Sequence, residues 1–187
     1  MKLGPQDFEL DSIDLEILNL LQDNCKVSLA KIGQQVGLSA PSVIERIKKL
    51  EDHGVILGYR AVIDARHVGK DVTAFIGVSV GHPQRIEPFE QEVGNLPEVL
   101  ECHHVTGQHT FLLKVKTKNT STLERLIREI RSIAGVERTE TMVVLSTNIE
   151  RTQIALSSDL AVGGRKVSRK ERNNADQDGG QMLGGMS

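Results

Sequence analysis

The sequence is poor in aromatic residues and cysteine, and it lacks long apolar runs. Aromatic residues make up 3% of the 187 residues, with one tyrosine and no tryptophan. Cys25 and Cys102 are too few for a disulfide framework, so we expect reduced thiols. No run of about 18 apolar residues occurs, and the N-terminus becomes acidic where a signal peptide needs an apolar stretch. These absences argue against disulfide-stabilised and membrane-spanning classes and predict a cytoplasmic protein with no membrane partner.

The sequence also lacks a strong excess of either charge. Its formal net charge is −2 at pH 7, which argues against a protein that coats polyanions non-specifically. Residues 1–65 carry seven lysines and arginines against ten acidic residues. Most of these acids lie up to and including Asp23, whereas Ala40–Lys49 contains three cations and one acid. The composition therefore leaves room for a local basic patch on this stretch.

Three amphipathic helices are predicted in the first third of the chain. They follow the N-cap residues Asp11, Ser28 and Ser39, and each carries apolar residues at helical spacing. Gly37 ends the second helix and supplies the left-handed conformation that a tight corner demands. Two short helices joined by such a turn are typical of a helix-turn-helix motif. The following segment, 54–64, alternates and is rich in β-branched residues, so it is predicted to be a wing or a linking strand.

From about Asp71 the chain changes to strands and helices in the order β-α-β-β-α-β. The predicted strands are 71–80, 99–105, 109–117 and 136–146, and the predicted helices are 85–96 and 121–133. This order predicts an α+β, ferredoxin-like domain, in which one antiparallel sheet carries both helices on one face. Apolar residues fall on both faces of the sheet, so the uncovered face is predicted to be an oligomer interface.

These patterns divide the chain into three parts. Residues 1–65 form the predicted helix-turn-helix domain with its linking strand, and residues 66–152 form the ferredoxin-like domain. Residues 153–187 are rich in glycine, serine and charge and contain almost no large apolar residues. We expect this last part to be a disordered tail.

The third predicted helix has an apolar side and a polar side. The apolar side packs on the first two helices. The polar side carries Pro41, Ser42, Glu45, Lys48 and Lys49, with Arg46 at its margin. Cations neutralise phosphate, the helix N-terminus adds partial positive charge, and Ser42, Glu45 or Lys49 would reach base edges in a major groove. Two alternatives remain open, since Glu45 and Lys49 have the spacing of a solvated salt bridge and Arg46 suits a structural ion pair.

Residues from Leu10 to Thr147 resemble the Lrp/AsnC family, the feast/famine transcriptional regulators. The resemblance rests on the pattern LS-x-P-x-V-x-x-R-I-x-x-L-E-x-x-G-V-I-x-G-Y, which begins at Leu38, and on the later stretch VTGQHTFLLKV. It implies a winged helix-turn-helix joined to an αβ sensor domain called RAM, and a sequence-specific DNA-binding regulator rather than an enzyme. By position, the residues on its DNA-facing helix would be Ser39, Pro41, Ser42, Glu45, Arg46 and Lys49.

The resemblance also implies partners for the chain. RAM domains of the family form homodimers that assemble further, often into octamers, and they bind amino acids or related small molecules between them. A dimer presents two recognition helices to successive major-groove faces of double-stranded DNA. The expected operator is therefore pseudo-palindromic.

The effector site is predicted around the turn VTGQHT, where the family has V-T-G-x-x-D. The candidate residues, drawn from this turn and from the last strand, are Thr106, Gly107, Gln108, Thr110, Thr139 and Thr141. Thr110 stands where the family has its aspartate. A carboxylate pairs with an α-ammonium group, whereas threonine offers a neutral hydroxyl. A different effector, or none, therefore stays open, and so does the reading of these residues as an ordinary turn and ordinary strand threonines.

Two further patterns have competing interpretations. Cys102, His103, His104 and His109 are residue types that bind zinc, but strand alternation separates His103 from Cys102 and His104, so no metal site or cofactor is predicted. The basic run GGRKVSRKERNN, at 163–174, would add sequence-independent DNA affinity or form a solvated tail.

Two rival functions were compared with the regulator. Siroheme decarboxylases resemble each other through a strand motif of HCYxR type and share the two-domain fold, but the corresponding strand here is ECHHV and Tyr59 is the only tyrosine. Nor does the chain contain a P-loop, a nucleophile-elbow serine or a close pair of catalytic carboxylates, so no catalytic residues are predicted. The second rival is a sensor module that no longer binds DNA, which the acidic count favours and the helix-turn-helix pattern disfavours.

Overall fold

The computed structural model describes residues 8–157, which divide into two compact units. The helical unit comprises residues 8–60 together with 152–157, and the sheet unit is Ala61–Arg151. No helix in the described part of the chain is long and apolar enough to cross a membrane.

The helical unit contains three helices around a small apolar core. They are α1 (Ser12–Asp23), α2 (Leu29–Val36) and α3 (Ala40–Asp52). As predicted, the side chains of Asp11, Ser28 and Ser39 cap the three N-termini. The core between the helices consists of Ile17, Leu18, Ile32, Val43 and Leu50. The amphipathic spacing of the sequence thus places one stripe of each helix against the other two.

The corner between α2 and α3 depends on two glycines. Gly37 has a φ of 70° and ends α2, as predicted. Gly33, which is buried within α2, lies against the following turn: a Cβ atom at this position would be 2.4 Å from the carbonyl oxygen of Leu38. The N–H of Leu38 donates to the Gly33 carbonyl at 2.9 Å. The close approach of the two backbone segments therefore requires glycine at position 33.

The sheet unit has the predicted β-α-β-β-α-β order. Its elements are β1 (Val72–Val80), α4 (Ile86–Gly94), β2 (Val99–His104), β3 (Phe111–Thr117), α5 (Thr120–Ser132) and β4 (Val136–Val143). The strands are ordered β2-β3-β1-β4, and all neighbouring strands are antiparallel. Short 3-10 helices occupy Ala65–Val68 and Pro83–Arg85. The ferredoxin-like α+β architecture is confirmed.

The two faces of the sheet differ in character. Alternate residues of β1 and β3, such as Ile76 and Leu113, are fully buried and pack with Phe89 of α4 and Leu126 of α5. The remaining residues of β3 are half-buried, which gives the strand a strict alternation. We call the surface that α4 and α5 leave uncovered the open face.

The predicted wing or linking strand does not form in this chain. The structure has no strand between α3 and β1; the N–H groups of Val55 and Ile56 instead donate to the Leu50 carbonyl and close the end of α3. Leu57 and Val62 are each 92% exposed. A strand requires a neighbouring backbone, and no other segment among residues 8–157 pairs with this one.

The predicted tail divides into a described and an undescribed part. Residues 158–187, which include the basic run 163–174, lie outside the described residues. Residues 153–157 belong to the helical unit, where Gln153 and Ile154 hydrogen-bond to Gln22 of α1. The compact part of the chain therefore extends beyond residue 152.

Candidate nucleic-acid interface and effector region

The polar side of α3 is exposed. Pro41, Glu45, Lys48 and Lys49 are exposed and Ser42 is half-buried. Within residues 8–157, Glu45 and Lys49 do not form the salt bridge that their spacing allowed, and Lys48 has no carboxylate partner either. Two lysine charges on α3 thus face solvent without an ion pair in the described part of the chain.

Aromatic residues hold the side chain of Lys49. Its Nζ lies 5.0 Å from the centroid of the Phe8 ring, within the range of a cation–π contact. The Phe8 ring stacks on His53 with centroids 4.4 Å apart, and His53 Nδ1 lies 2.8 Å from the Lys49 carbonyl oxygen. The ammonium group of Lys49 thus has an aromatic neighbour while its side chain remains exposed.

The N-terminus of α3 carries two hydroxyl groups. Ser39 Oγ accepts from the Ser42 N–H at 3.4 Å, and the two Oγ atoms are 2.9 Å apart. Pro41 stands in the first turn, where a missing N–H costs no helical hydrogen bond. Free N–H groups and hydroxyls at an exposed helix start form a surface that suits phosphate oxygens.

Arg46 has a different environment from the two lysines. Its Nη1 lies 2.7 Å from Asp11 Oδ2 and 2.7 Å from Asp14 Oδ1, so α3 is clamped to the N-terminus of α1. The hydrogen bonds that Arg46 donates to these two carboxylates raise the pKa of its guanidinium. Burial alone would raise the pKa of Asp11, but the Asp14 N–H and the Arg46 guanidinium outweigh it and lower that pKa. Only 30% of the Arg46 side chain is exposed.

The structure adds one candidate that the sequence analysis missed. Lys31 is exposed on α2, and its N–H donates to the Ser28 cap at 3.3 Å. In helix-turn-helix proteins the helix before the recognition helix crosses the DNA backbone. The signal that could have indicated Lys31 was the motif geometry itself, which makes α2 as well as α3 a candidate source of phosphate contacts.

The predicted effector residues on the β2–β3 turn lie at one end of the sheet. The carbonyl of Gln108 accepts from the Ser79 hydroxyl at 3.4 Å. Thr110, at the position of the family's aspartate, accepts from the Val80 N–H through its Oγ1 at 3.0 Å. Thr106 and Gly107 are exposed. The hydroxyl of Thr110 therefore already links the β2–β3 turn to β1.

The two predicted strand threonines lie on the other side of β1. Thr139 pairs with Val78 and Thr141 with Ile76, whose side chains are in the core beneath the helices. Thr139 Oγ1 accepts from Arg131 Nε at 2.7 Å. Thr110, in contrast, hydrogen-bonds to β1 from the β3 side, so two strand spacings, roughly 10 Å, separate it from Thr139. The six candidates do not converge within one protomer.

Lysines of the open face are neutralised. Lys114 Nζ lies 3.2 Å from Glu101 and 2.5 Å from Glu150, and Lys116 Nζ lies 3.9 Å from Glu150. The hydrogen bond that Lys114 donates to Glu150 raises the pKa of Lys114, and the same contact lowers the pKa of Glu150. The pKa of Glu101 is lowered by His103 first and by Lys114 second.

The cysteine and histidines of the candidate zinc cluster are divided as strand alternation indicated. Cys102 and His104 pair with Leu113 and Phe111 on the helix side, and burial raises the pKa of Cys102. His103 lies on the open face. His109 also lies apart from the pair, between Ser79 Oγ at 3.4 Å and Glu140 Oε2 at 3.3 Å.

Comparisons with known proteins match both units. Residues 10–51 match the AsnC-type helix-turn-helix domain, and residues 73–154 match the Lrp/AsnC ligand binding domain. The chain is 37% identical over 150 residues to the HTH-type transcriptional regulator FL11 of Pyrococcus horikoshii, which covers 79% of this chain and 97% of FL11. It is 32% identical over 151 residues to the leucine-responsive regulatory protein of Rhizobium meliloti, again over 79% and 97% of the two chains.

Solved structures agree with this assignment. The structure of Escherichia coli AsnC superposes with a TM-score of 0.74 at 29% identity, over 78% of this chain and 99% of AsnC. The L-Met complex of the regulator NMB0573 from Neisseria meningitidis gives a TM-score of 0.75 at 29% identity, over 78% and 96% of the chains. The matched regions hold the exposed face of α3 in one unit and the sheet with its turn in the other. With a helix-turn-helix that binds DNA and a domain that binds a small-molecule ligand, this chain belongs to the Lrp/AsnC family of transcriptional regulators.

Proposed function

We propose that the polar side of α3 lies in a DNA major groove and reads the operator. The groups that support this are Ser39, Pro41, Ser42, Glu45, Lys48 and Lys49. The observation that carries the proposal is the pair Lys48 and Lys49, exposed on a rigid helix and without carboxylate partners in the described part of the chain. Their ammonium groups neutralise phosphates, while Ser42 and Glu45 are placed to meet base edges. The ring of Phe8 lies beside the Lys49 ammonium group at the edge of this surface, 5.0 Å from ring centroid to Nζ.

Arg46 serves the fold rather than the DNA in this proposal. Its guanidinium is occupied by Asp11 and Asp14. Moving it to a phosphate would leave Asp14, whose side chain is only 9% exposed, without its cation. Lys31 of α2 takes the place of Arg46 among the expected phosphate contacts.

The regulator acts as a homodimer that assembles further, with the octamer as the expected form. Apolar surface supports this: Phe75 and Leu112 on the open face are only half-buried, and Met142 beside Phe75 is 47% exposed. Leu57 and Val62 of the linker add exposed apolar surface. Two α3 helices related by a twofold axis require a pseudo-palindromic operator. The site of action that we propose is the cytoplasm, and no catalytic role is assigned.

The effector is a small molecule, and an amino acid is the class that we propose. Support comes from the matched ligand binding domain and from the similar NMB0573 structure, which is a complex with L-Met. The turn residues and the strand threonines are separated by β1 within a protomer, so we propose that a pocket using residues of both groups forms between subunits. The hydroxyl of Thr110 replaces a carboxylate, which weakens recognition of an α-ammonium group.

The DNA proposal is tested with Lys48→Gln/Lys49→Gln. Binding of the full chain to a 40-base-pair duplex from upstream of its own gene is measured by fluorescence anisotropy across a salt series. Two lost phosphate contacts in each protomer should reduce the slope of log K against log salt by about 1.8 for every protomer bound to the duplex. The control is Lys70→Gln/Lys118→Gln, two exposed lysines of the sheet unit, which should keep the wild-type slope. If the α3 variant keeps it too, α3 is not the DNA-contacting helix.

The effector proposal is tested by a thermal-shift screen of the twenty amino acids. A ligand that prefers the folded state raises the melting temperature in proportion to the logarithm of its concentration. Thr110→Asp restores a carboxylate and should strengthen any amino-acid response, whereas Thr110→Val should not. If no amino acid raises the melting temperature of either the wild type or Thr110→Asp, an amino-acid effector at this turn is ruled out.

A further inference from the structure

The imidazole of His109 lies directly on the backbone of β1. A Cβ atom at Gly77 would be 2.4 Å from Cδ2 of this ring and 2.7 Å from its Nε2, so any residue larger than glycine would displace the ring. Only 15% of the His109 side chain is exposed. Gly77 pairs with Leu112 of β3 and with Glu140 of β4. The ring therefore covers the middle of β1 on the open face.

His109 links the β2–β3 turn to β4 across β1. The residue lies in the turn, directly before Thr110. Its Nε2 is 3.3 Å from Glu140 Oε2. Glu140 stands between the two strand threonines of the predicted effector set, Thr139 and Thr141. The contact therefore connects the turn with the part of β4 that carries these threonines.

The second ring nitrogen extends this link to the backbone of the turn. His109 Nδ1 lies 3.4 Å from Ser79 Oγ, and the Ser79 hydroxyl donates to the Gln108 carbonyl oxygen at 3.4 Å. These distances are long for hydrogen bonds, so each contact is weak on its own. Together they form a chain of four groups, which are the carboxylate of Glu140, the imidazole, the hydroxyl and the carbonyl.

The number of protons on the imidazole decides whether this chain is complete. A neutral imidazole has one N–H, and a hydroxyl has one hydrogen to donate. If Nε2 donates to Glu140, then Nδ1 is an acceptor, and the hydrogen of Ser79 can serve either Nδ1 or the Gln108 carbonyl. The other tautomer turns a lone pair toward the carboxylate. An imidazolium donates from both nitrogens and leaves the hydroxyl hydrogen for the carbonyl, so only the protonated ring satisfies all three contacts at once.

Charged side chains surround this ring on the open face. Glu140 Oε2 also lies 3.6 Å from Arg138 Nη2, so this carboxylate is shared between the imidazole and a guanidinium. His103 of β2 and Lys114 of β3 are close to Glu101, at 3.1 and 3.2 Å. Glu140 is therefore the acidic partner available to a protonated ring.

We propose that His109 is a positioning residue of the effector region: protonation of its imidazole holds the β2–β3 turn against the sheet and raises the affinity for the effector. The second part of this inference rests on the effector function proposed above. Histidine changes its charge between about pH 5 and 8. The link is complete while the ring is protonated and Glu140 is ionised, and it is lost as the pH rises and the ring gives up its proton. A turn that is already ordered binds a ligand at a lower entropic cost.

Hydrogen exchange of the full chain tests the link without an effector. The Val80 N–H donates to Thr110 Oγ1 at 3.0 Å, so its protection reports whether the turn lies against β1. After correction for intrinsic exchange rates, wild-type protection should be about two- to fivefold higher at pH 5.5 than at pH 8, as for a partly exposed ion pair. His109→Phe keeps a ring over Gly77 without its nitrogens, and Glu140→Gln removes the charge. Each variant should abolish the difference.

His103→Phe is the matched control, because this second histidine of the open face lies on β2 and bonds to Glu101. It should keep the wild-type difference between the two pH values. Equal protection at both pH values in the wild type would overturn the proposal, and so would a difference that survives in His109→Phe. Loss of the difference in His103→Phe as well would also overturn it, because the effect would then belong to the charge of the whole face.

The effector part of the proposal is tested with L-methionine, the ligand in the similar NMB0573 structure. Its dissociation constant is measured by thermal-shift titration at the same two pH values. In the wild type the constant should be about two- to fivefold higher at pH 8, and in His109→Phe it should be the same at both. A wild-type constant that does not change with pH would show that the link does not regulate the effector site. If L-methionine binds at neither pH while the exchange difference is present, the result counts against the amino-acid effector and leaves the positioning role of His109 in place.

Discussion

The two units use the same residue type in opposite electrostatic settings. Lys48 and Lys49 of α3 are exposed and have no ion pair in the described part of the chain. Lys114 and Lys116 of the sheet unit are partly covered and bound to Glu101 and Glu150. A lysine that already has a carboxylate gains little from a phosphate, whereas an unpaired one releases counterions when it binds. The difference indicates which unit meets the polyanion.

Counting charges would have given the opposite answer. Residues 1–65 are slightly acidic, yet two of their acids, Asp11 and Asp14, are engaged by the N-cap of α1 and by Arg46. These two carboxylates neutralise Arg46, which holds α3 to α1, and they form no ion pair with Lys48 or Lys49. The placement of charge, and not its sum, decides whether the unit can approach DNA.

Gly33→Ala should have the largest effect on the helical unit, because it disrupts the corner that fixes α3 against α2. The added methyl would lie 2.4 Å from the Leu38 carbonyl oxygen, which belongs to the backbone and cannot rotate away. We expect the helical unit to lose about 3 kcal/mol or to fail to fold. Urea unfolding followed by circular dichroism at 222 nm measures the loss.

Gly37→Ala is the matched control for that change. Gly37 has a φ of 70° but open space around its Cα, so alanine costs only about 1 kcal/mol of backbone strain. Equal effects at the two glycines would show that the close contact at Gly33 does not constrain the turn.

Arg46→Ala should separate the structural cation from the DNA-binding ones. It leaves Asp14, which is almost buried, without its partner, and we expect a loss of about 2 kcal/mol in the stability of the helical unit. Lys48→Ala, on the exposed side, should stay within about 0.5 kcal/mol of the wild type. At a temperature where both variants are folded, only Lys48→Ala should weaken DNA binding. Reversed roles would mean that Arg46 leaves its clamp when DNA binds.

The sequence was sufficient wherever local pattern and local structure coincide. Caps at Asp11, Ser28 and Ser39 and the strict alternation of β3 are properties of a few adjacent residues, so the helices and strands followed directly. Segment 54–64 shows the limit. Its alternation is real, but a strand also needs a partner backbone, and no local pattern specifies one.

Site residues were harder to predict for the same reason. Periodicity placed Arg46 at the edge of the polar side of α3, but its partner Asp11 lies 35 positions earlier in the chain. Likewise, Thr110 and Thr139 approach β1 from opposite sides, which depends on strand order. Gly33 resembled any helical glycine until the path of the following turn was known. Contacts between distant segments settle such roles.

Lys114→Gln/Lys116→Gln tests whether the paired lysines of the sheet unit contribute to DNA binding. These lysines are paired, so their removal should leave the salt slope of DNA binding unchanged, in contrast to the loss of about 1.8 per bound protomer expected for the α3 lysines. Stability should fall by less than about 1 kcal/mol, since the pairs are partly exposed. A slope reduced as much as in the α3 variant would make the open face a second DNA surface and end the distinction between the two units.

The smallest effect is expected from the salt bridge between Lys114 and Glu150, whose contribution to stability should depend on pH. The pKa of Glu150 is lowered by its hydrogen bond from Lys114, so the tie stabilises the fold above the ordinary glutamate pKa and is lost as the pH falls through the lowered value. Glu150→Gln should therefore cost stability at pH 7 and nearly nothing at pH 3, and urea unfolding at the two pH values measures the difference. Because 48% of the Glu150 side chain is exposed, solvent screening limits the cost to about 0.5 kcal/mol. Glu124→Gln, which loses only a helical pair at 3.8 Å, provides the baseline. An equal cost at both pH values would mean that Glu150 stabilises the sheet unit by packing and not by its charge.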